Sequence, residues 1–256
     1  MIFSHRQLQL GMGEIRKEFS VDLKERDALG DSADTHWYYV SKARMVAGHL
    51  PWAPREILDV GAGLGWFSRW FLNNGYGAHA ICVDPGYEVE REEDLGGGRR
   101  ISYLRTIDKT DADLVLLMDV LEHVDDDVAL LKEYWDKASP GTLFVVTVPA
   151  FEFLWSAHDD YLDHRRRYTR ARLAETIRAV GAEPRLLHYY FGAIFPIAVV
   201  MRLLKRNRNK SSSDMRPVSA SVNSLLTAIC GAETRLARWN QLAGLSVVAQ
   251  FAKPYT

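Results

Sequence analysis

The most constraining feature of this chain is a glycine-rich turn between a short apolar run and an amphipathic segment. Residues 56–68 read EILDVGAGLGWFS, so the apolar run around Asp59 leads into Gly61, Gly63 and Gly65. The aromatic and aliphatic residues that follow recur at helical spacing. A strand, a tight turn and a helix in this order open a parallel α/β sheet, and the turn lets a nucleotide-like ligand lie against bare backbone.

The spacing of the glycines separates two classes of ligand. In the dinucleotide fingerprint GxGxxG, the third glycine lets helix and strand pack closely. Counted from Gly61, that position holds Trp66. The turn of a nicotinamide-dependent oxidoreductase is therefore disfavoured, and the form GxGxG remains. A glycine turn that binds no ligand stays open as an alternative.

A carboxylate follows the second predicted strand. Asp84 closes the run 78–83, about 20 residues after the glycine turn, which is where a carboxylate can bind a ribose hydroxyl pair. It could also cap a helix before Pro85, and the two roles are compatible.

Two further apolar runs are typical of buried parallel strands. Residues 114–117 are four consecutive apolar residues, and residues 142–148 form a second run after a Pro-Gly turn. Open α/β sheets bind their ligands at the carboxyl ends of such strands. Residues 101–107 are predicted as another strand, and the charged stretch 88–100 as a solvated helix and loop.

Three segments resemble a known family. DVGAGLG at 59–65 has the character of the first motif of class I S-adenosylmethionine (SAM)-dependent methyltransferases. DVLEHV at 119–124 resembles the motif after strand four in members related to ubiquinone- and menaquinone-biosynthesis enzymes. Residues 149–169 are similar to a bacterial type 11/12-like subgroup that carries LWSxHD and HxRRY here. The resemblance implies SAM as cofactor, with contacts from Asp59, Gly61, Ala62, Gly63, Leu64, Asp84, Pro85, Met118, Asp119 and Val120.

The same resemblance implies the fold. We expect an α/β, Rossmann-like class I methyltransferase sheet with strand order 3-2-1-4-5-7-6, an N-terminal helical lid and a helical insertion before the last strand. One domain is predicted over residues 1–256. Its parts are the lid at 1–50, the SAM-binding core at 51–191, the apolar and basic insertion at 192–243 and the last strand at 244–256.

Two details of this expectation concern helix starts. Asp34 is predicted as the N-cap of the lid helix. Glu122 and His123 are predicted to begin the helix after strand four, near which some relatives hold a divalent cation. Two residues do not make a metal site, so no metal ligand is predicted.

The segment after strand five concentrates polar groups where substrate should meet the methyl group. Methylation of a hydroxyl needs a base, and a neutral histidine suits that step. His158, with Asp159 alongside, is the first candidate and His164 the second. The alternative is a knot of ion pairs and hydrogen bonds that fixes a loop.

Candidate substrate-binding residues lie in two places. Arg166, Arg167 and Tyr168 could bind a phosphate or carboxylate, because guanidinium groups suit such anions, or they could start a solvated basic helix. Trp37 and Tyr38 could close over cofactor and substrate from the lid helix, or simply pack on the sheet.

The composition of the chain indicates which partners and which compartment to expect. The formal net charge of −1 gives no pull toward nucleic acid, and the two cysteines are far apart in sequence, which fits a reducing cytoplasm. Residues 160–216, in contrast, hold 13 lysines and arginines and 5 aspartates and glutamates. The apolar run 192–204 is either a buried helix or an interfacial helix on an anionic membrane. We therefore expect a cytoplasmic protein with possible peripheral contact at the inner face of the membrane; the oligomeric state stays open.

The predicted function is SAM-dependent methylation of a small-molecule or lipid-linked acceptor, with oxygen favoured as the atom methylated. The alternative is a non-catalytic module that binds SAM or acts by interaction.

Overall fold

The computed structural model describes residues 34–205 and 218–255 of the 256-residue chain. The strands are β1 (Glu56–Val60), β2 (His79–Val83), β3 (Arg91–Gly96), β4 (Arg99–Leu104), β5 (Leu114–Met118), β6 (Leu143–Pro149), β7 (Leu186–Tyr190) and β8 (Ser246–Ala252). The helices are α1 (Trp37–His49), α2 (Trp66–Asn73), α3 (Asp127–Lys137), α4 (Ala157–Tyr161), α5 (Arg170–Ala179), α6 (Phe195–Lys205) and α7 (Ala220–Ala237).

The strands of the described residues form one sheet in the order β3-β4-β2-β1-β5-β6-β8-β7. From β4 to β6 the neighbouring strands run parallel, and β8 pairs antiparallel with both β6 and β7. Every residue of β5 is buried, as a central parallel strand requires. The predicted fold class and strand order are confirmed, with one added strand.

The added strand corrects the prediction for residues 88–100. Arg91–Gly96 within this stretch form β3, which pairs antiparallel with β4 at the edge of the sheet. The edge position explains the charges, because one side of the strand meets solvent and charged edges resist pairing with other chains. On the inner side, Glu93 accepts hydrogen bonds from Arg69 and from the Tyr103 hydroxyl.

Helices cover both faces of the sheet. One core cluster joins the sheet to α3 and α5 through residues such as Leu131 and Ile177. The other joins the sheet to α1, α2 and α7 through Val46, Phe71 and Cys230. Because helices cover both faces of the sheet, a ligand can reach the parallel strands at their carboxyl ends.

Helix α1, at the place of the predicted lid, is capped by a distant residue. The predicted N-cap at Asp34 is wrong: α1 begins at Trp37, and His36 stands at the N-cap position without a capping hydrogen bond from its side chain. The Trp37 N–H donates instead to Asn223 Oδ1 on α7, at 2.8 Å. Residues 1–33 of the predicted lid lie outside the described residues.

The predicted insertion contains α6 and α7, with Pro196 in the first turn of α6 as expected. No helix that the structure describes is long and apolar enough to cross a membrane.

Candidate active site

A cavity of about 990 Å³ opens at the carboxyl ends of the parallel strands. The residues that follow β1, β2 and β5 form its floor, and α1 and α6 contribute to its walls. A volume of this order can hold a ligand of cofactor size. Its position is the one at which open α/β sheets bind their ligands.

Two glycines of the turn at the cavity floor have no space for a side chain. Gly61 and Gly65 have φ angles of 64° and 71°, which favour glycine. A Cβ atom on Gly61 would meet Val120 at 2.9 Å, and one on Gly65 would meet the Tyr103 hydroxyl at 2.9 Å. Bare backbone is therefore required here by space as well as by conformation.

Asp84 stands beside this turn and lines the cavity. Its Oδ2 accepts a hydrogen bond from the Gly63 N–H, and its Oδ1 accepts one from the Gly86 N–H, both at 3.1 Å. Burial raises the pKa of the Asp84 carboxyl, and the two N–H donors oppose that rise. Each carboxylate oxygen keeps capacity to accept a second hydrogen bond, so a pair of ligand hydroxyls can be bound.

An ion pair joins α1 to the cavity floor. Lys42 on α1 is fully buried and donates to Asp119 Oδ2 and to the Tyr38 hydroxyl. Burial alone would lower the pKa of Lys42, but Asp119 and Tyr38 hold it above its ordinary value. Asp119 also accepts from Thr147 Oγ1 at 3.1 Å, so α1, β5 and β6 meet at this carboxylate.

The polar segment after β6 folds around Asp159. This residue lies on the short helix α4 and is completely buried. His164 Nδ1 lies 2.8 Å from Asp159 Oδ1, and Arg167 donates to both carboxylate oxygens, at 2.7 and 3.0 Å. Burial would raise the pKa of the Asp159 carboxyl, but His164 and Arg167 hold it well below its usual range. Asp159 is thus an ionised partner that orients the His164 ring.

His164 also lies beside two residues, Glu122 and His123, whose side chains could ligate a metal ion. The donor atoms of Glu122, His123 and His164 all lie within 4.8 Å of one another, a grouping that could hold one metal ion. The Glu122 carboxyl is fully buried, with no hydrogen bond from another residue of the described chain. Burial and the charge of Asp119 raise the pKa of Glu122 well above its usual value. Burial and His164 lower the pKa of His123 to about 3.

The comparison with protein families decides the kind of protein. A family model described as a methyltransferase domain matches residues 31–187. The chain belongs to this methyltransferase-domain family. A search of curated proteins by sequence gives no match.

Solved structures of SAM-dependent methyltransferases share the fold of this methyltransferase domain. One from Thermotoga maritima has a TM-score of 0.53 and 16% identity, over 93% of this chain and 98% of the other. One from Archaeoglobus fulgidus has a TM-score of 0.51 and 15% identity, over 90% and 98%. One from Mesorhizobium loti has a TM-score of 0.51 and 16% identity, over 83% and 98%. At these identities the likeness concerns the fold.

The structure places most of the predicted cofactor residues of this methyltransferase domain along the cavity. The cavity wall includes Gly61, Gly63, Asp84, Pro85, Met118, Asp119 and Val120. Ala62 and Leu64 belong to the same turn outside that wall. Asp59 is buried beneath the turn, where its Oδ2 accepts from Ser68 Oγ at 2.8 Å. Asp59 therefore supports the turn from below.

Some of the predicted substrate-binding residues line the cavity and others do not. Trp37, Tyr38 and Arg167 line the cavity, but Arg167 is occupied by Asp159. Tyr168 is buried and donates to Asp127 Oδ2 at 2.7 Å, while Arg166 pairs with Asp127 Oδ1 at 3.2 Å. We therefore assign a structural role, and not substrate binding, to Arg166 and Tyr168. Of the predicted catalytic residues, His158 and His164 line the cavity and Asp159 lies behind it.

Sequence reasoning missed three parts of the site. Glu122 and His123 lie in a turn after β5, and not at the start of a helix as predicted, so they face His164 across the cavity wall. Lys42 forms its ion pair with a residue 77 positions away, and such a distant pairing leaves no local pattern. The cavity wall formed by α6 could have been suspected from the apolar run there.

Proposed function

We propose that this chain is a SAM-dependent methyltransferase that methylates an oxygen atom of a small-molecule or lipid-linked acceptor. One observation carries the proposal: an imidazole oriented by an ionised carboxylate opens into the same cavity as the glycine turn and Asp84.

The cavity floor fits the cofactor. The glycine turn gives a nucleoside access to the backbone, Asp84 can accept hydrogen bonds from its sugar hydroxyls, and the backbone at Met118–Val120 can line the methionine end. When bound, SAM supplies a methyl group on a sulfonium, which is an electrophile. The lid helix, held down by Lys42 and Asp119, would shield that end of the cavity from water.

His164 is the better general base on geometry. An ionised Asp159 can only accept a hydrogen bond, so Nδ1 of His164 carries the proton and Nε2 is left to accept one. This assignment reverses the order of the sequence-based candidates, because the Asp159 carboxylate is directed to His164 and Arg167. Transfer of the methyl group to an acceptor hydroxyl would then proceed as Nε2 takes the hydroxyl proton.

The test uses methyl-labelled SAM with fractionated cell extract. Purified chain, His164→Asn and His158→Asn are each incubated with aqueous and lipid fractions, and the label that enters each fraction is counted. We expect the His164 variant to lose about 10²- to 10⁴-fold in turnover while its affinity for SAM stays unchanged, because general-base catalysis contributes on that order. Loss of less than threefold would remove His164 as the base. SAM binding without label transfer to any fraction would favour the non-catalytic module instead.

A further inference from the structure

Helix α6, which lines part of the cavity, carries an exposed apolar stripe. Ile197, Val200, Met201 and Leu204 follow the pattern i, i+3, i+4, i+7, so they lie on one side of the helix, and all are exposed. Two of them, Ile197 and Met201, also line the cavity. The stripe is therefore continuous with the cavity wall.

Helix α7 presents a second apolar stripe. Val222, Leu225, Ile229 and Leu236 share one side of the helix and are exposed. The neighbouring Leu226 lines the cavity. Clustered exposed apolar side chains are a feature of interaction sites.

The charge around these stripes is positive. By sequence, the described parts of residues 192–245 hold four basic residues, Arg202, Lys205, Arg235 and Arg238, and one acidic residue, Glu233. Of the basic residues, Arg202 pairs with the buried Asp159, at 3.5 Å. The Glu233 carboxylate is itself occupied by the N–H groups of Gly192 and Ala193, at 2.7 and 3.1 Å. By sequence, the link from α6 to α7 adds three basic residues within RNRNK and the pair Asp214 and Arg216.

We propose that α6 and α7 together form a docking surface for anionic lipid bilayers, with the cavity mouth turned toward the lipid. Apolar side chains beside a cluster of basic groups are what an amphipathic helix needs at a lipid interface, since the first enter the acyl boundary and the second meet the headgroups. The described part of α6 has 11 residues, and the sequence after it is RNRNK, so its apolar run is shorter than a membrane span and would lie in the plane of the interface.

The packing of α6 favours a lipid surface as its partner. Within the described chain, α6 makes no more than marginal contact with any other helix or strand. A second copy of the chain would bring an equally positive surface against this one, so the two copies would repel each other. An anionic bilayer offers acyl chains to the apolar stripes and negative headgroups to the basic residues.

The consequence for the acceptor rests on the proposed function. If the cavity opens toward the bilayer, a lipid-linked acceptor can reach His164 without leaving the membrane. Docking itself requires no catalysis, so it can be tested independently of the methyl transfer.

The test is flotation of the full chain with vesicles. One set is phosphatidylcholine alone and the other contains about one-third phosphatidylglycerol, each at low and high salt. The variant Leu204→Glu/Leu225→Glu places charge on residues that are 78% and 60% exposed. Its matched control is Val89→Glu, which is 71% exposed beside β3 at the opposite edge of the sheet. Circular dichroism verifies that both variants are folded.

We expect the wild type and Val89→Glu to float with the anionic vesicles at low salt and to be largely released at high salt. The double variant should bind at least tenfold less, because two apolar anchors are lost. Equal flotation of the two variants, or a wild type that stays at the bottom with anionic vesicles at low salt, would overturn the proposal. So would a wild-type dimer that the double variant converts to monomer without any vesicle binding.

Discussion

At the scale of single residues, Asp84 is the group on which cofactor binding depends most. Its two oxygens accept from backbone N–H groups and still face the cavity. We expect Asp84→Asn to weaken SAM binding by about 10- to 100-fold, since a hydrogen bond to a charged group is worth about 1.5–3 kcal/mol. Equilibrium dialysis with labelled SAM measures this. The control Asp108→Asn, at an exposed loop position, should bind as the wild type; equal affinity of both variants would contradict the role of Asp84.

Glu122 is a second residue with a measurable effect. Because burial and Asp119 raise the pKa of its carboxyl in the folded chain, the unfolded chain ionises first as the pH rises. The wild type therefore loses stability above the unfolded pKa of about 4.3. At pH 7, Glu122→Gln should raise the free energy of unfolding by roughly 1–3 kcal/mol, and with it the melting temperature. The difference from the wild type should shrink toward pH 4. A lower melting temperature at pH 7 would show that a group we have not identified stabilises the carboxylate.

At the scale of elements, α1 depends on α7 for its N-terminus. Asn223 accepts from the Trp37 N–H and donates to the Thr35 carbonyl, at 2.8 and 2.9 Å. Asn223→Ala should cost about 1 kcal/mol of unfolding free energy, as the loss of an N-cap does. Asn223→Asp keeps the acceptor oxygen for Trp37 but sets a carboxylate oxygen against the Thr35 carbonyl, so it should recover only part of the loss. Urea denaturation measures both variants, and an Asn223→Ala variant as stable as the wild type would show that the cap is unimportant.

The elements also show how far the sequence predicts this molecule. The apolar run of β5 predicts a buried parallel strand, and the glycine turn predicts the start of α2, because both depend on neighbouring residues alone. The strand β3 escaped prediction because an edge position, and not hydrophobicity, makes its charged sequence acceptable. Asn223 as a cap could not be predicted, since α1 and α7 are brought together only by the fold.

The candidate site follows the same division. The cofactor side comes from strand ends and a turn, so its residues could be named from sequence. The acceptor side is built from a buried knot in which His164 and Arg167 share Asp159. The polar residues of that segment could be listed from the sequence. Only the structure shows that Asp159 orients His164 and that the Tyr168 hydroxyl donates to Asp127.

At the scale of the whole molecule, one buried histidine, His188, and one half-buried histidine, His123, contribute to the response to acid. Burial lowers the pKa of His123 to about 3 and that of His188 to about 4. As the pH falls below about 6.5, these histidines take up protons in the unfolded chain but not in the folded chain. The free energy of unfolding therefore decreases as the pH falls from about 6.5 to the pKa values of the folded chain. We expect a fall of about 1–2 kcal/mol per histidine between pH 7 and pH 5. In thermal melts over this range, His188→Gln should show a shallower fall than the wild type; an equal slope would contradict the assignment.

The central claim is that the bare turn after β1, together with Asp84, holds SAM at the open edge of the sheet. Calorimetric titration of the purified chain with SAM, and in parallel with NAD, tests it most directly. We predict saturable heat with SAM at one site per chain and no binding of NAD. No heat with SAM, together with binding of NAD, would contradict the claim.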